Sequence, residues 1–135
     1  MVDVNELDKA LQNLVKVKNQ LAEMDYSNER YDELEEELHD LEDDFQDNYG
    51  EYIDEVLHDV HDEFCPDNDV LLPIAYLANK YIITEDGKFD VSYDAGVFVD
   101  ADDFPGKNTR MVLVPGPIRL ILNIDQSTRE VLWTA

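Results

Sequence analysis

The longest regular pattern in the chain lies in residues 31–65, which read YDELEEELHDLEDDFQDNYGEYIDEVLHDVHDEFC. Apolar side chains recur there at every third or fourth position, which is the spacing of residues on one face of an α-helix. The steps continue unchanged past Gly50, which favours one long helix, although a glycine could also end one helix before a second begins. Pro66 ends the pattern, because proline pushes the preceding residue out of the helical region. The recurring residues are Tyr31, Leu34, Leu38, Leu41, Phe45, Tyr49, Tyr52, Val56, Val60 and Phe64.

A shorter helical pattern precedes this one, from about residue 5 to residue 24. A short polar connection at residues 25–28 joins the two, so the helices are expected to pair as an antiparallel αα-hairpin. Asp3 or Asn5 would cap the first turn. The heptad-like spacing also allows a coiled-coil homodimer. From both helices we expect a buried core formed by Leu7, Leu11, Leu14, Leu34, Leu38, Leu41, Phe45, Tyr52, Val56 and Val60.

The rest of the chain has the composition of short strands and turns. All five prolines and four of the five glycines lie after residue 64. One short helix is expected within residues 72–79, because Pro73 suits a first helical turn. Alternating apolar residues and turn sequences such as Asp86-Gly87 predict five or six short strands in a mostly antiparallel meander. The predicted fold class is therefore α+β, with an N-terminal αα-hairpin, a long acidic second helix and a C-terminal sheet.

Length and composition indicate one folded domain. The chain has 135 residues, of which 44% are hydrophobic, and this share is too high for a disordered protein. We expect a single domain over residues 1–135, with the helical hairpin in residues 1–65 and the β-rich part in residues 66–135. The single cysteine excludes a disulfide framework and a four-cysteine zinc site.

The charge is strongly negative and unevenly distributed. Asp and Glu number 33 against 10 Lys and Arg, for a net charge of −23, and residues 25–69 hold 20 of the acids with one base. Such a protein lacks the basic patch that binds nucleic acid or anionic lipid. The first residues do not resemble a secretory signal, and no apolar run is long enough to cross a membrane. We therefore expect a cytoplasmic protein with no direct nucleic-acid or membrane contact.

The acidic second helix is the first candidate functional surface. Carboxylates three and four residues apart repel one another, so their density must be offset by packing elsewhere. Two interpretations stay open, a solvated helix face and a recognition surface for a basic protein partner. In the second interpretation the protein is a non-enzymatic interaction module, with an inhibitor, immunity-type or DNA-mimic role. The candidate binding residues are Glu36, Asp40, Asp43 and Asp47.

A line of potential metal ligands on the same helix is the second candidate. It consists of Asp54, His58, His61 and Cys65, spaced four, three and four residues apart. Carboxylate, imidazole and thiolate groups are the usual ligands of zinc, and this spacing places them along one side of a helix. One straight helix rarely encloses a metal ion, so a second element would have to contribute ligands. The alternative function is therefore a metal-binding protein, whereas a polar helix flank is the simpler interpretation. We expect no cofactor, and the absence of a recognisable catalytic motif disfavours an enzyme.

Overall fold

The computed structural model describes residues 3–135 and has an α+β fold. Two helices come first, α1 (Val4–Ala22) and α2 (Tyr31–Phe64), and a short 3₁₀ helix follows at Pro73–Tyr76. The strands are β1 (Ile82–Ile83), β2 (Phe89–Asp90), β3 (Val97–Phe98), β4 (Arg110–Val114), β5 (Arg119–Asn123) and β6 (Arg129–Thr134). The fold class predicted from the sequence is confirmed.

The six strands form two antiparallel sheets, whereas the sequence predicted one meander. Strands β1 and β2 form a hairpin, and the second sheet has the order β3-β4-β5-β6. The two sheets separate between β2 and β3. There the buried Asn123 amide donates hydrogen bonds to the carbonyls of Ser92 (3.3 Å) and Ala95 (3.1 Å). A side chain therefore satisfies backbone acceptors that a neighbouring strand would otherwise bind.

Helix α1 begins at a side-chain cap and buries one face. The Asp3 carboxylate accepts hydrogen bonds from the backbone N–H groups of Asn5 (2.9 Å) and Glu6 (3.2 Å). Of the two predicted caps, Asp3 is therefore the one used, because its side chain binds donors that have no partner within the helix. The buried residues of α1 are Leu7, Leu11, Leu14, Val15 and Val17.

Helix α2 is continuous over its 34 residues, so Gly50 does not break it. At about 1.5 Å per residue the helix is about 51 Å long. Gly50 is buried, and a β-carbon at this position would lie 2.2 Å from the side-chain nitrogen of Gln46. The missing side chain thus leaves room for the Gln46 amide to lie against the helix.

The buried face of α2 differs from the predicted one in its second half. Leu34, Phe45 and Val60 are buried as expected. Leu38, Leu41, Tyr52 and Val56 pack against the core but are only half-buried, so the prediction for these four is met in part. Ile53 and Leu57 are fully buried instead. The first half of α2 packs against α1 and the second half against the 3₁₀ helix, so the buried direction turns by about 100°, the angle of one helical residue.

Side chains of α1 also connect the hairpin to the β-rich part. Asn19 accepts a hydrogen bond from the Tyr81 N–H (2.7 Å) and donates one to the Tyr81 carbonyl (3.0 Å). The Tyr81 hydroxyl in turn donates to the carbonyl of Leu113 in β4 (2.6 Å). Near the other end of α1, Asp8 accepts from the Gly116 N–H (2.8 Å). Residues of α1, α2, β4 and β5 consequently belong to one hydrophobic core.

The corrected core makes a test of helix packing possible. Leu57→Ala should lower the free energy of unfolding by about 2–5 kcal/mol, because the side chain is fully buried and its removal leaves a cavity. Leu38→Ala is the matched control, and its cost should be clearly smaller, since Leu38 is half-buried. Urea unfolding of both variants measures the difference. Equal losses would show that the buried face follows the apolar pattern of the sequence after all.

Candidate functional site

The solvent face of α2 is dominated by carboxylates. Residues 31–64 contain sixteen Asp and Glu and no Lys or Arg. Fourteen of the sixteen are exposed, and the other two, Glu42 and Asp54, are half-buried. Because the opposite face packs against α1 in the first half of the helix, the acids of that half point to solvent as a consequence of the fold.

Four of these acids form a line that we call the acidic strip: Glu36, Asp40, Asp43 and Asp47. All four are exposed. Their spacing of four, three and four residues keeps them within a narrow angle on the side opposite Phe45, which is buried. The strip is about 16 Å long at about 1.5 Å per residue. The structure therefore brings together the residues that the sequence analysis named as a binding surface.

The negative charge of the acidic strip is not compensated within the part of the chain that the structure describes. The ion pairs of α2 join Glu42 to His39 (3.7 Å) and Asp54 to His58 (3.5 Å), so both involve a histidine of the same helix. Within residues 3–135, no Lys or Arg lies within ion-pair distance of the strip. Adjacent like charges on a helix cost about 0.2–0.5 kcal/mol per pair. An approaching cation would relieve this repulsion.

The four potential metal ligands do not converge on one point. His58 is exposed and pairs with the half-buried Asp54, whereas His61 and Cys65 are buried. The rotation of the buried face in the second half of α2 explains this division, because it carries His61 to the core side. Between residues 3 and 135, no group of three or more His, Cys, Asp or Glu is arranged to hold a metal ion. The metal-binding alternative stays a prediction without geometric support.

His61 instead links α2 to the segment that follows it. Its Nε2 lies 2.8 Å from the Tyr76 hydroxyl, and its Nδ1 lies 3.1 Å from the Asn68 carbonyl. The Tyr76 oxygen accepts a hydrogen bond from the Leu71 N–H (3.1 Å), and its hydroxyl group can donate one to Nε2. The Asn68 carbonyl can only accept, so Nδ1 carries a ring proton and donates a hydrogen bond to it. Both ring nitrogens have a protein partner, which leaves neither one free for a metal.

Cys65 is a buried thiol with little nucleophilic character. Its side chain is fully buried at the end of α2. Burial and the negative charge of Asp102 raise the pKa of Cys65 to about 11. The thiolate is the reactive form, so this group is protonated and poorly reactive near neutral pH.

A polar cleft in the β-rich part was not predicted from the sequence. Its volume is about 500 Å³, and it lies between the end of the 3₁₀ helix and the turn before β3. Its charged lining residues are Lys80, Asp94 and Arg110. They come from three separate segments, and no local pattern in the sequence connects them.

Comparison with protein-family models, with curated proteins and with solved structures gave no match. Over residues 3–135, no helix has both the length and the hydropathy required to cross a membrane.

The His61 network predicts unequal effects for two histidines on the same helix. His61→Ala should lower the free energy of unfolding by about 2–4 kcal/mol, because it leaves the Tyr76 hydroxyl unpaired and opens a cavity. His58→Ala is the control and should change it by less than about 0.5 kcal/mol, since His58 is exposed. Chemical unfolding of the two variants gives both values. If His58→Ala were strongly destabilised and His61→Ala kept the stability of the native protein, the structural role would belong to His58 and not to His61.

The raised pKa of Cys65 predicts a loss of stability at alkaline pH. An unfolded thiol loses its proton near pH 8.5, whereas the folded thiol holds it to about pH 11. This group therefore stabilises the fold below about pH 8.5, and that contribution disappears as the pH rises toward 11. The free energy of unfolding should fall more steeply with pH for the native protein than for Cys65→Ala, measured between about pH 8 and pH 10. Parallel curves would show that the thiol is not protected.

Proposed function

We propose that this protein is a non-enzymatic interaction module that binds a basic protein partner through the acidic strip. One observation carries the proposal. Four aligned and exposed carboxylates lie on a continuous helix, and no Lys or Arg within residues 3–135 neutralises them. Charge arranged in this way attracts a basic surface and accelerates its association.

The rigidity of α2 supports binding rather than solubility alone. The helix is anchored through Phe45, Ile53 and Leu57, which are all buried. Carboxylates on such a support lose little conformational freedom when a partner binds, so more of the electrostatic gain is kept as affinity. A solubilising surface has no need for this fixed alignment.

The sign and the alignment of the charges suggest the type of partner. A row of anions along a rigid rod is a surface that a nucleic-acid-binding protein could accept in place of a phosphate backbone. An inhibitor, immunity-type or DNA-mimic role is therefore the specific form that we propose. The single free and buried cysteine is typical of reducing compartments and supports a cytoplasmic location.

Removal of the strip charges should separate binding from stability. A variant with Glu36→Gln, Asp40→Asn, Asp43→Asn and Asp47→Asn should have a free energy of unfolding about 2–4 kcal/mol higher, because nine like-charge pairs three or four residues apart are lost. Its affinity for a basic partner isolated from cell extract should fall by about 1–4 kcal/mol, at about 0.2–1 kcal/mol for each exposed ion pair. Calorimetric titration at low and high salt measures the affinity, and the native protein should show the steeper salt dependence.

A charge-matched control lies on the same helix. Glu55→Gln, Asp59→Asn, Asp62→Asn and Glu63→Gln remove the same number of exposed charges at the opposite end of α2. This control should bind the partner almost as well as the native protein. If both quadruple variants bind equally well, or equally poorly, the acidic strip is a solvated face and not the binding site.

A further inference from the structure

Two tyrosine rings lie together at the end of the helical hairpin. Tyr26 belongs to the connection between α1 and α2, and Tyr31 is the first residue of α2. Their ring centroids are 4.8 Å apart, and the ring planes are inclined by 51°. Tyr26 is 84% exposed, which is unusual because aromatic side chains of this size are normally buried. The Tyr26 ring is not part of the hydrophobic core, so a ligand can reach its exposed face.

A cavity of about 460 Å³ opens beside the two rings, between α1 and α2. Leu21 and Leu38 provide apolar wall, and Glu35 provides a carboxylate. Glu35 follows Tyr31 by four residues and therefore lies one helical turn along the same face. We call the site formed by Tyr26, Tyr31 and Glu35 the tyrosine cage.

Carboxylates lie beside the two tyrosine rings. Burial, the neighbouring Tyr26 side chain and the negative charges of Glu35 and Asp32 raise the pKa of Tyr31. Of these causes, the negative charges of Glu35 and Asp32 also attract a cation. The faces of both aromatic rings carry negative partial charge and add to this attraction.

We propose that the tyrosine cage binds one arginine side chain of a basic protein partner. The inference rests on the proposed function, since Glu35 lies about 100° around the helix from Glu36, where the acidic strip begins. A basic segment that crosses α2 from the strip toward α1 would present a further side chain to the cage. Arginine fits better than lysine, because a planar guanidinium stacks on an aromatic ring while it pairs with a carboxylate.

Lys18 carries a charge that opposes arginine binding, so its removal should raise the affinity and not lower it. Lys18 lines the same cavity, where burial lowers its pKa and the charge of Glu42 works against that shift. Its ammonium group repels an incoming guanidinium. Lys18→Gln should therefore tighten arginine binding, an effect that a cavity with no role in cation binding would not show.

The test uses the full chain and a small probe, N-acetylarginine N-methylamide, with the neutral citrulline analogue as its control. Titration is followed by NMR of proteins labelled on the tyrosine rings. The resonances of Tyr26 and Tyr31 should shift with the arginine probe only. Tyr26→Phe should keep the affinity, since the ring face suffices, and Tyr26→Ala should weaken it about two- to fivefold. Tyr93→Ala removes another exposed tyrosine and should have no effect.

Three results would overturn the cage: equal shifts with the citrulline analogue, unchanged affinity in Tyr26→Ala, or weaker binding in Lys18→Gln. Failure of the proposed function has a different signature. If the probe binds at the cage while the strip variant and its charge-matched control bind the basic partner equally well, the arginine site is supported and the proposed role of the strip is wrong. If the strip variant alone loses the partner while Tyr26→Ala binds the probe normally, the proposed role of the strip is supported and the arginine site is wrong.

Discussion

The burial of one face of α2 is the constraint on which the rest of the structure depends. Sixteen carboxylates on one helix repel one another, and no intrahelical pair with Lys or Arg offsets the repulsion. At about 1.5–3 kcal/mol for each fully buried aliphatic or aromatic side chain, burial of Phe45, Ile53 and Leu57 is of the same order as that cost. Burial of the apolar face thus offsets the repulsion between the exposed carboxylates. A weaker core would not hold these charges in line.

The change of packing partner along α2 accounts for most of what the sequence could not predict. Helix type, helix length and strand content follow from local periodicity, and these predictions were correct. The choice between Tyr52 and Ile53, or between Val56 and Leu57, depends on whether α1 or the 3₁₀ helix lies alongside. Both alternatives are apolar and differ by one residue, so periodicity alone does not separate them. The same rotation brings His61 into the core and separates it from His58.

The candidate sites differ in how far the sequence could predict them, for a related reason. The acidic strip lies on one helix, so its alignment could be derived from residue spacing alone. The tyrosine cage combines Tyr26 from the connection with Tyr31 and Glu35 from α2, and its cavity also includes Lys18 from α1. Residues from separate elements meet only after the hairpin has closed. A pattern within one element predicts a surface, whereas a cavity requires the tertiary fold.

The distribution of cations explains why the charge of α2 stays uncompensated. Arg119 donates to the backbone carbonyls of Pro115 (2.9 Å), Pro117 (2.8 Å) and Phe89 (2.8 Å), so its guanidinium fixes the turn before β5. Arg129 pairs with Asp90 and thereby connects β6 to β2. These cations satisfy acceptors in the β-rich part, where backbone groups outside strand pairing need donors. These two arginines therefore serve the β-rich part, and within residues 3–135 no Lys or Arg lies within ion-pair distance of a carboxylate of α2. Such segregation preserves a strong local field on the helix, which an even mixture of charges would cancel.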